Sequence, residues 1–540
     1  MANGYLALVL HAHLPYVRHP EYESFLEERW FLEAMTETYI STMRMLERLV
    51  ADGVPCKITY SVSPTLLSMM EDPLLQERYL RHITKLCELA EREIERNAFD
   101  ERFKRLAEMY RWLFTEARDY FLSCDCRLAV RLKALHERGT VELITTSATH
   151  ALLPVAASQP AMAEAQVATG LSYFEEVFGF RPRGIWLPEC AYAPGLDDIL
   201  RREGVRYFLT ESHAISWASN RPMFGLYAPL YTPSGAAAFG RDEQSTEQVW
   251  SSKKGYPGDP WYREFYRDIG YELDMSYIGP YIASDRRVDT GIKYHRITGR
   301  DAAWKEPYEP SVARQRAADH AGDFLGRRID QVQRLSSSMN IEPVIVTSFD
   351  AELFGHWWFE GPQWLDFLIR KTVYDQNTVA LTTPGEFLAR HPVHQIGVPY
   401  TSSWGYEGYF EAWINGKTDW IYPHLFESGR RLHDLASRFS VQPPGDLASR
   451  ALKQCCRELL LAQSSDWPFI ISNGTAEQYA VRRVKDHLAR FRALADAIDG
   501  GAINERQLSA LECIDNIFPS IDYRVFAGGK AKAAVNGEKP

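Results

Sequence analysis

The chain has no apolar run approaching the roughly 20 residues that would span a bilayer, so a membrane protein is not expected. Its first apolar stretch, Leu6 to Leu10, is too short for a signal-peptide core, and no basic region precedes it. A cytoplasmic location is therefore expected. Cysteine is scarce, at eight in 540 residues, and no two form a Cys-x-x-Cys pair. That argues against a zinc knuckle, a redox motif or a disulfide framework, and leaves eight free thiols as the expectation. Positive charge is also short: the formal net charge of −10 lacks the basic face that neutralises phosphates, which argues against a nucleic-acid partner. Strand-like patterning is missing after about Pro399.

What is abundant is aromatic surface. Trp, Tyr and Phe make 13% of the chain, and many cluster with glycine and proline in loop-like segments. Trp357-Trp358-Phe359 precedes Gly361-Pro362, and Trp404, Tyr406, Tyr409, Phe410 and Trp413 surround Gly405 and Gly408. Aromatic faces in loops suit stacking on sugar rings, whose C–H faces are apolar. Each one read alone serves equally to pin a loop to the core.

Short apolar runs recur at Tyr5–Leu10, Lys57–Val62, Val141–Thr145, Gly184–Leu187, Val205–Leu209, Pro343–Phe349 and Thr378–Leu381. Apolar on both faces, they read as strands buried on both sides of a parallel sheet. Helical patterns such as Phe31–Leu49, Met162–Phe178 and Leu196–Glu203 alternate with them, and Arg78–Glu137 reads as a long helical crossover. The class is α/β, either a βα barrel or a doubly wound sheet. Thr232–Pro260 has no period and reads as a lid or binding loop. Thr418–Phe439, Asp446–Ser464, Ala476–Asp499 and Glu505–Ile514 read as helices of a separate domain, and residues 527–540 as a disordered tail.

Active sites of parallel sheets gather at the C-terminal ends of strands. There the sequence places His11 and His13, Thr149-His150, Glu189 and Asp350. A strand-end carboxylate also serves as a helix cap, and the His-x-His pair with a carboxylate also fits a metal site. Two carboxylates flanking one bond are what glycosidic cleavage needs.

Five segments carry a resemblance. His11-Ala-His-Leu-Pro-Tyr16, Ala148-Thr-His150, Trp186-Leu-Pro-Glu-Cys-Ala-Tyr192, Ser348-Phe-Asp-Ala-Glu-Leu-Phe-Gly-His-Trp-Trp358 and Ser403-Trp-Gly-Tyr-Glu-Gly408 resemble the five signature regions of glycoside hydrolase family 57. The likeness is nearest to its members that branch 1,4-α-glucans. It implies an incomplete (β/α)7 barrel over residues 1–195 and 250–398, an inserted helical subdomain and lid region over 196–249, and an all-helical C-terminal domain over 399–526. It also implies a retaining transglycosylase that cleaves α-1,4 linkages and forms α-1,6 branches in amylose, amylopectin or glycogen. Glu189 matches the nucleophile and Asp350 the general acid/base. His11, His13 and His150 match contacts to the sugar at the cleavage point. Trp404 and Trp413 match aromatics lining the glucan cleft, with Trp30 as a further counterpart and Tyr256 as the lid tyrosine. No metal and no cofactor is required. An α-amylase or 4-α-glucanotransferase on the same site, a metal-dependent deacetylase or mannosidase, and a non-catalytic glucan-binding protein are the alternatives.

Overall fold

A computed structural model describes residues 2–251, 254–299, 302 and 304–528. Its centre is β1 (Gly4–Ala12), whose nine residues are all buried, as a strand covered on both faces must be. Along its length β1 pairs in parallel with three other strands. β8 (Val344–Asp350) runs beside it from Tyr5↔Val344 to His11↔Asp350, β2 (Ile58–Val62) pairs with its C-terminal half, and β9 (Val379–Thr382) with its start. β3 (Val141–Ile144) extends the sheet beyond β2. A second sheet joins β4 (Gly184–Trp186), β5 (Tyr207–Thr210) and β7 (Ala237–Gly240) in parallel, with the short β6 (Leu230–Tyr231) antiparallel to β7.

The two sheets touch at both sides. Trp186 N donates to Thr145 O at 2.8 Å, and Asp242 N donates to Val346 O at 2.8 Å. Tyr5, Ala7 and Val9 from β1 meet Trp186, Leu209 and Phe239 from the second sheet in one buried cluster. Helices cover the outside, among them Pro310–Ser336 and Gly361–Tyr374, which pack on each other. The molecule is an α/β protein built on parallel strands.

The stretch 196–249, expected as an inserted subdomain, instead contributes β5 and β7 to the parallel sheet. Ala237 and Ala238, the first residues of β7, hid the strand, because alanine has little β preference and only burial between neighbours recruits it. Thr232–Pro260, expected as an irregular lid, holds β7 and the helix Glu243–Trp250, which Asp242 caps through Oδ2 to Ser245 N at 2.8 Å. The expected crossover Arg78–Glu137 is built on the long helices Pro73–Arg96 and Glu101–Leu122, which pack on each other. Within the helical pattern Phe31–Leu49, residues Met35–Ile40 form a π-helical turn. After β9 the described residues hold no further strand. Helices Ile421–Val441, Asp446–Ala462, Asp466–Asn473, Glu477–Asp499 and Glu505–Ile514 follow. Of the expected tail, Ala527 closes a short 3-10 turn, and residues 529–540 lie outside the described residues.

Candidate active site

Strand ends build the site. β1 runs out at His11 and Ala12, and the register sets His11 opposite Asp350, the last residue of β8. Beyond β4 the chain turns sharply, with Glu189 at φ 60° and Cys190 at φ 51°, and beyond β3 His150 sits at φ 57°. Left-handed backbone at non-glycine residues is costly and is held only where surroundings over-determine it. At Glu189 the indole-bearing loop does so: Trp404 N donates to Glu189 O at 2.9 Å.

His11, His13, His150, Glu189, Asp350, Trp404 and Trp413 line one cavity of about 460 Å³. Both oxygens of Glu189 are held, by Ser465 Oγ donating to Oε1 and Trp404 Nε1 donating to Oε2, each at 2.7 Å. Ser465 Oγ also stands 2.9 Å from His150 Nδ1. His150 Nε2 lies 3.0 Å from His11 Nε2, and His11 Nδ1 lies 3.0 Å from Ser61 Oγ, while the His11 ring stacks on Trp186 with centroids 4.7 Å apart. His13 Nε2 faces both oxygens of Asp466 at 3.1 Å. Asp350 has no side-chain hydrogen bond among the described residues.

A third carboxyl completes the floor. Glu352 Oε1 accepts from Tyr39 OH at 2.5 Å and from His13 N at 3.1 Å. Tyr39 reaches it from the π-helical turn Met35–Ile40. Arg241, ion-paired with Glu211, lies over the Trp404 ring at 5.5 Å.

Burial governs the titration. It lifts the Glu189 carboxyl to about 7, against the hydrogen bonds from Ser465 and Trp404 that favour its anion. It lifts Asp350 to about 6, against the nearby charges of His13 and Arg241. Burial and the neighbouring Asp350 raise Glu352 to about 7. Burial and the neighbouring His13 hold His11 and His150 well below the ordinary imidazole value, so both are neutral. At His13 burial opposes the cation, but the Asp466 carboxylate beside it leaves the pKa above its usual value.

Ligand atoms of His13, His150 and Asp466 lie within 4.8 Å of one another, as a metal site requires. The ring geometry does not suit one. The two imidazoles stack face to face, 3.8 Å between centroids and 14° between planes. Their in-plane lone pairs point along nearly parallel planes and do not converge on one ion.

Trp30 and Tyr256 are not among the residues lining this cavity. Trp30 meets Tyr479 edge-on at 6.0 Å. Tyr256 stacks on His320 at 4.6 Å and donates its hydroxyl to Asp323 Oδ2 at 2.7 Å, against the helix Pro310–Ser336. The residues that sequence reasoning missed are Ser465, Asp466, Tyr39 and Arg241. Ser464-Ser465-Asp466 looked like an ordinary polar junction before a helix, and nothing in its pattern says that it folds back onto β1 and β4.

Residues 7–401 match the sequence profile of glycosyl hydrolase family 57. The chain belongs to glycosyl hydrolase family 57. Residues 424–526 match the profile described as 1,4-alpha-glucan branching enzyme, C-terminal. Among relatives of this family 57 chain, a 1,4-alpha-glucan branching enzyme of Thermococcus kodakarensis is 33% identical, over 96% of this chain and 77% of that protein. The structure of the α-amylase AmyC from Thermotoga maritima is similar at a TM-score of 0.92, with 44% identity over 97% of this chain and 99% of that one. That of a branching enzyme from Pyrococcus horikoshii is similar at 0.87, with 32% identity over 97% of each chain.

Proposed function

We propose that this family 57 protein is a 1,4-α-glucan branching enzyme with a retaining mechanism, in which Glu189 is the nucleophile and Asp350 the general acid/base. The observation that carries the reading is the shared cavity. Among the carboxyls that line it, Glu189 has both oxygens held by donors, and Asp350 has no side-chain hydrogen bond among the described residues. Donors on both oxygens stabilise the anion that must attack, while a carboxyl free of such bonds can exchange a proton.

In the first step a Glu189 oxygen bonds to the anomeric carbon of a glucan as the α-1,4 bond breaks, and the Asp350 proton passes to the departing 4-oxygen. In the second, the Asp350 carboxylate takes the proton of a 6-hydroxyl on an acceptor chain. That oxygen bonds to the anomeric carbon and Glu189 leaves, giving an α-1,6 branch. A carboxyl near 6 suits both transfers around neutral pH, because neither its gain nor its loss of a proton is steeply uphill. The neutral His11 and His150 and the Asp466-paired His13 hold the hydroxyls of the reacting sugar, and Trp404 and Trp413 form the aromatic side of the cleft. Glycogen-like glucans are taken as the substrate and the cytoplasm as the place of the reaction.

The scaffold is read as an incomplete (β/α)7 barrel made by β1, β2, β3, β4, β5, β7 and β8. The two hydrogen-bonded seams between the sheets and the cluster of inward side chains support it. Residues 399–526 are read as an all-helical domain that closes one side of the cleft.

The likeness to AmyC favours a second reading, hydrolysis on the same site, with water in place of the acceptor sugar. Incubation with amylose followed by digestion with a debranching enzyme separates the two. Branching predicts release of short linear chains on debranching. A product that gains reducing ends and yields nothing to the debranching enzyme favours the amylase.

A further inference from the structure

Outside the catalytic cavity, exposed rings gather beside the loop that carries Trp404. Trp217 is 60% exposed and Tyr400 47%, and their rings meet at 5.9 Å with 73° between planes. Among the described residues no other two exposed Trp, Tyr or Phe rings touch each other. His213 continues the row, its ring 5.7 Å from Trp217 and 5.8 Å from Tyr409. Tyr406, 70% exposed, stands in the same loop as Tyr409.

Holding the loops together does not account for these rings. Main-chain bonds already do so: Tyr400 N donates to Ala214 O at 2.8 Å, and Ser219 N donates to Val398 O at 2.9 Å. His213 Nε2 donates to Gly408 O at 2.9 Å. Gly408, at φ 84°, makes room for that imidazole, since a Cβ there would stand 2.7 Å from its Cε1. The ring faces are also uncovered. Arg44 lies over the Trp112 ring, Arg296 over Trp261 and Lys485 over Trp420. Among the described residues no such cation lies over Trp217, Tyr400 or Tyr406, and the hydroxyls of Tyr400 and Tyr406 have no hydrogen-bond partner.

The row joins the cleft. Trp404 and Gly405 line the catalytic cavity, and Tyr406 is next in the chain. That cavity, of about 460 Å³, takes only a few glucose units, so a longer glucan must leave it across the outer surface. Sugars stack on aromatic rings through their C–H faces, and α-1,4 linkages curve a glucan so that successive sugars tilt against one another. Two rings set at a steep angle fit such a curved chain. A flat β-1,4 chain needs faces near one plane.

We infer that the Trp217–Tyr400 pair, with Tyr406, forms a second binding site for the outer part of an α-1,4-glucan chain, separate from the cleft where the bond is cut. The inference rests on the reading that α-glucans are the substrate class, and not on which acceptor takes the chain.

Affinity electrophoresis in native gels tests it, with amylopectin or hydroxyethylcellulose cast in the gel. The full-length Glu189→Gln protein serves as the parent, so that no turnover alters the polymer. Amylopectin is expected to retard the parent and hydroxyethylcellulose to leave it unretarded. Adding Trp217→Ala and Tyr400→Ala is expected to raise the apparent dissociation constant for amylopectin at least about fivefold, because two stacking faces are lost. Trp217→Phe with Tyr400→Phe keeps ring faces and is expected to hold most of the affinity. Tyr406→Ala, a single exposed change, is expected to weaken binding in the same direction. Unchanged amylopectin affinity in the alanine variants, or equal retardation of the parent by both polymers, would overturn the inference. Linkage analysis of the wild type reports on the proposed reaction separately, so branching by the wild type together with unchanged gel affinity in the alanine variants would overturn this inference alone.

Discussion

At the scale of single residues, the state of Glu189 is the controlling quantity. Its carboxyl is lifted to about 7 by burial, so between the ordinary value near 4.5 and about 7 the folded protein holds a proton that the unfolded chain has released. Stability from this group is full below about 4.5 and is lost as pH rises through 7. Glu189→Gln removes the buried charge. Its amide oxygen can still accept from Trp404 Nε1, and its NH2 can donate to Ser465 Oγ. The variant is expected to melt roughly 2–4 °C above the wild type at pH 8, with the gain gone near pH 4.5, by thermal unfolding across that range. The same variant is expected to lose at least about 10³-fold in transfer rate, because an amide cannot replace the proposed carboxylate nucleophile. A full loss of rate without the pH-dependent gain in melting temperature would mean that Glu189 is not desolvated as described.

At the scale of elements, the segment after Asp350 is held from behind by the π-helical turn Met35–Ile40. Tyr39 OH donates to Glu352, Glu37 engages His356, and Gly355, at φ 113°, lets the backbones touch. A Cβ on Gly355 would overlap the Glu37 carbonyl, and its φ already disfavours any other residue. Gly355→Ala is expected to cost at least about 2 kcal/mol of stability and to lower activity, measured by denaturant unfolding and by transfer rate. Tyr39→Phe takes a donor from a buried carboxyl and is expected to cost about 1–3 kcal/mol. It also raises the Glu352 pKa further, which moves any limb that Glu352 contributes to the pH–rate profile toward higher pH. The strands of this scaffold were legible because their apolar runs are buried on both faces. The π-helical turn was not: Phe31–Leu49 keeps a helical period throughout, and one extra residue per turn leaves no mark in composition. β7 was missed for the opposite reason, since alanines carry no strand pattern until neighbours bury them.

At the scale of the whole molecule, the site is shared between the strand ends and the helices that follow them. Ser465 and Asp466, more than 270 positions from Glu189, complete its hydrogen bonding and that of His13. Ser465→Ala removes a donor that favours the Glu189 anion. The Glu189 pKa then rises, and since the anion attacks, the acidic limb of the pH–rate profile is expected to move to higher pH, with a loss of about tenfold at neutral pH. A rate loss with the limb unmoved would make Ser465 a packing residue only. This dependence was not legible in the sequence. Glu189, Asp350 and the three histidines stand in strand-end motifs, where order and alternation find them, whereas Ser465 earns its place only through how the helical part docks. Trp30 and Tyr256 show the converse, aromatics in suggestive segments that pack elsewhere. The central claim is that this pair of carboxyls moves glucan from a 4-oxygen to a 6-oxygen, and linkage analysis of amylose incubated with wild type, Glu189→Gln and Asp350→Asn tests it most directly. The account predicts α-1,6 linkages from the wild type and essentially none from either variant. Linear products alone from the wild type, or branching that survives Glu189→Gln, would contradict it.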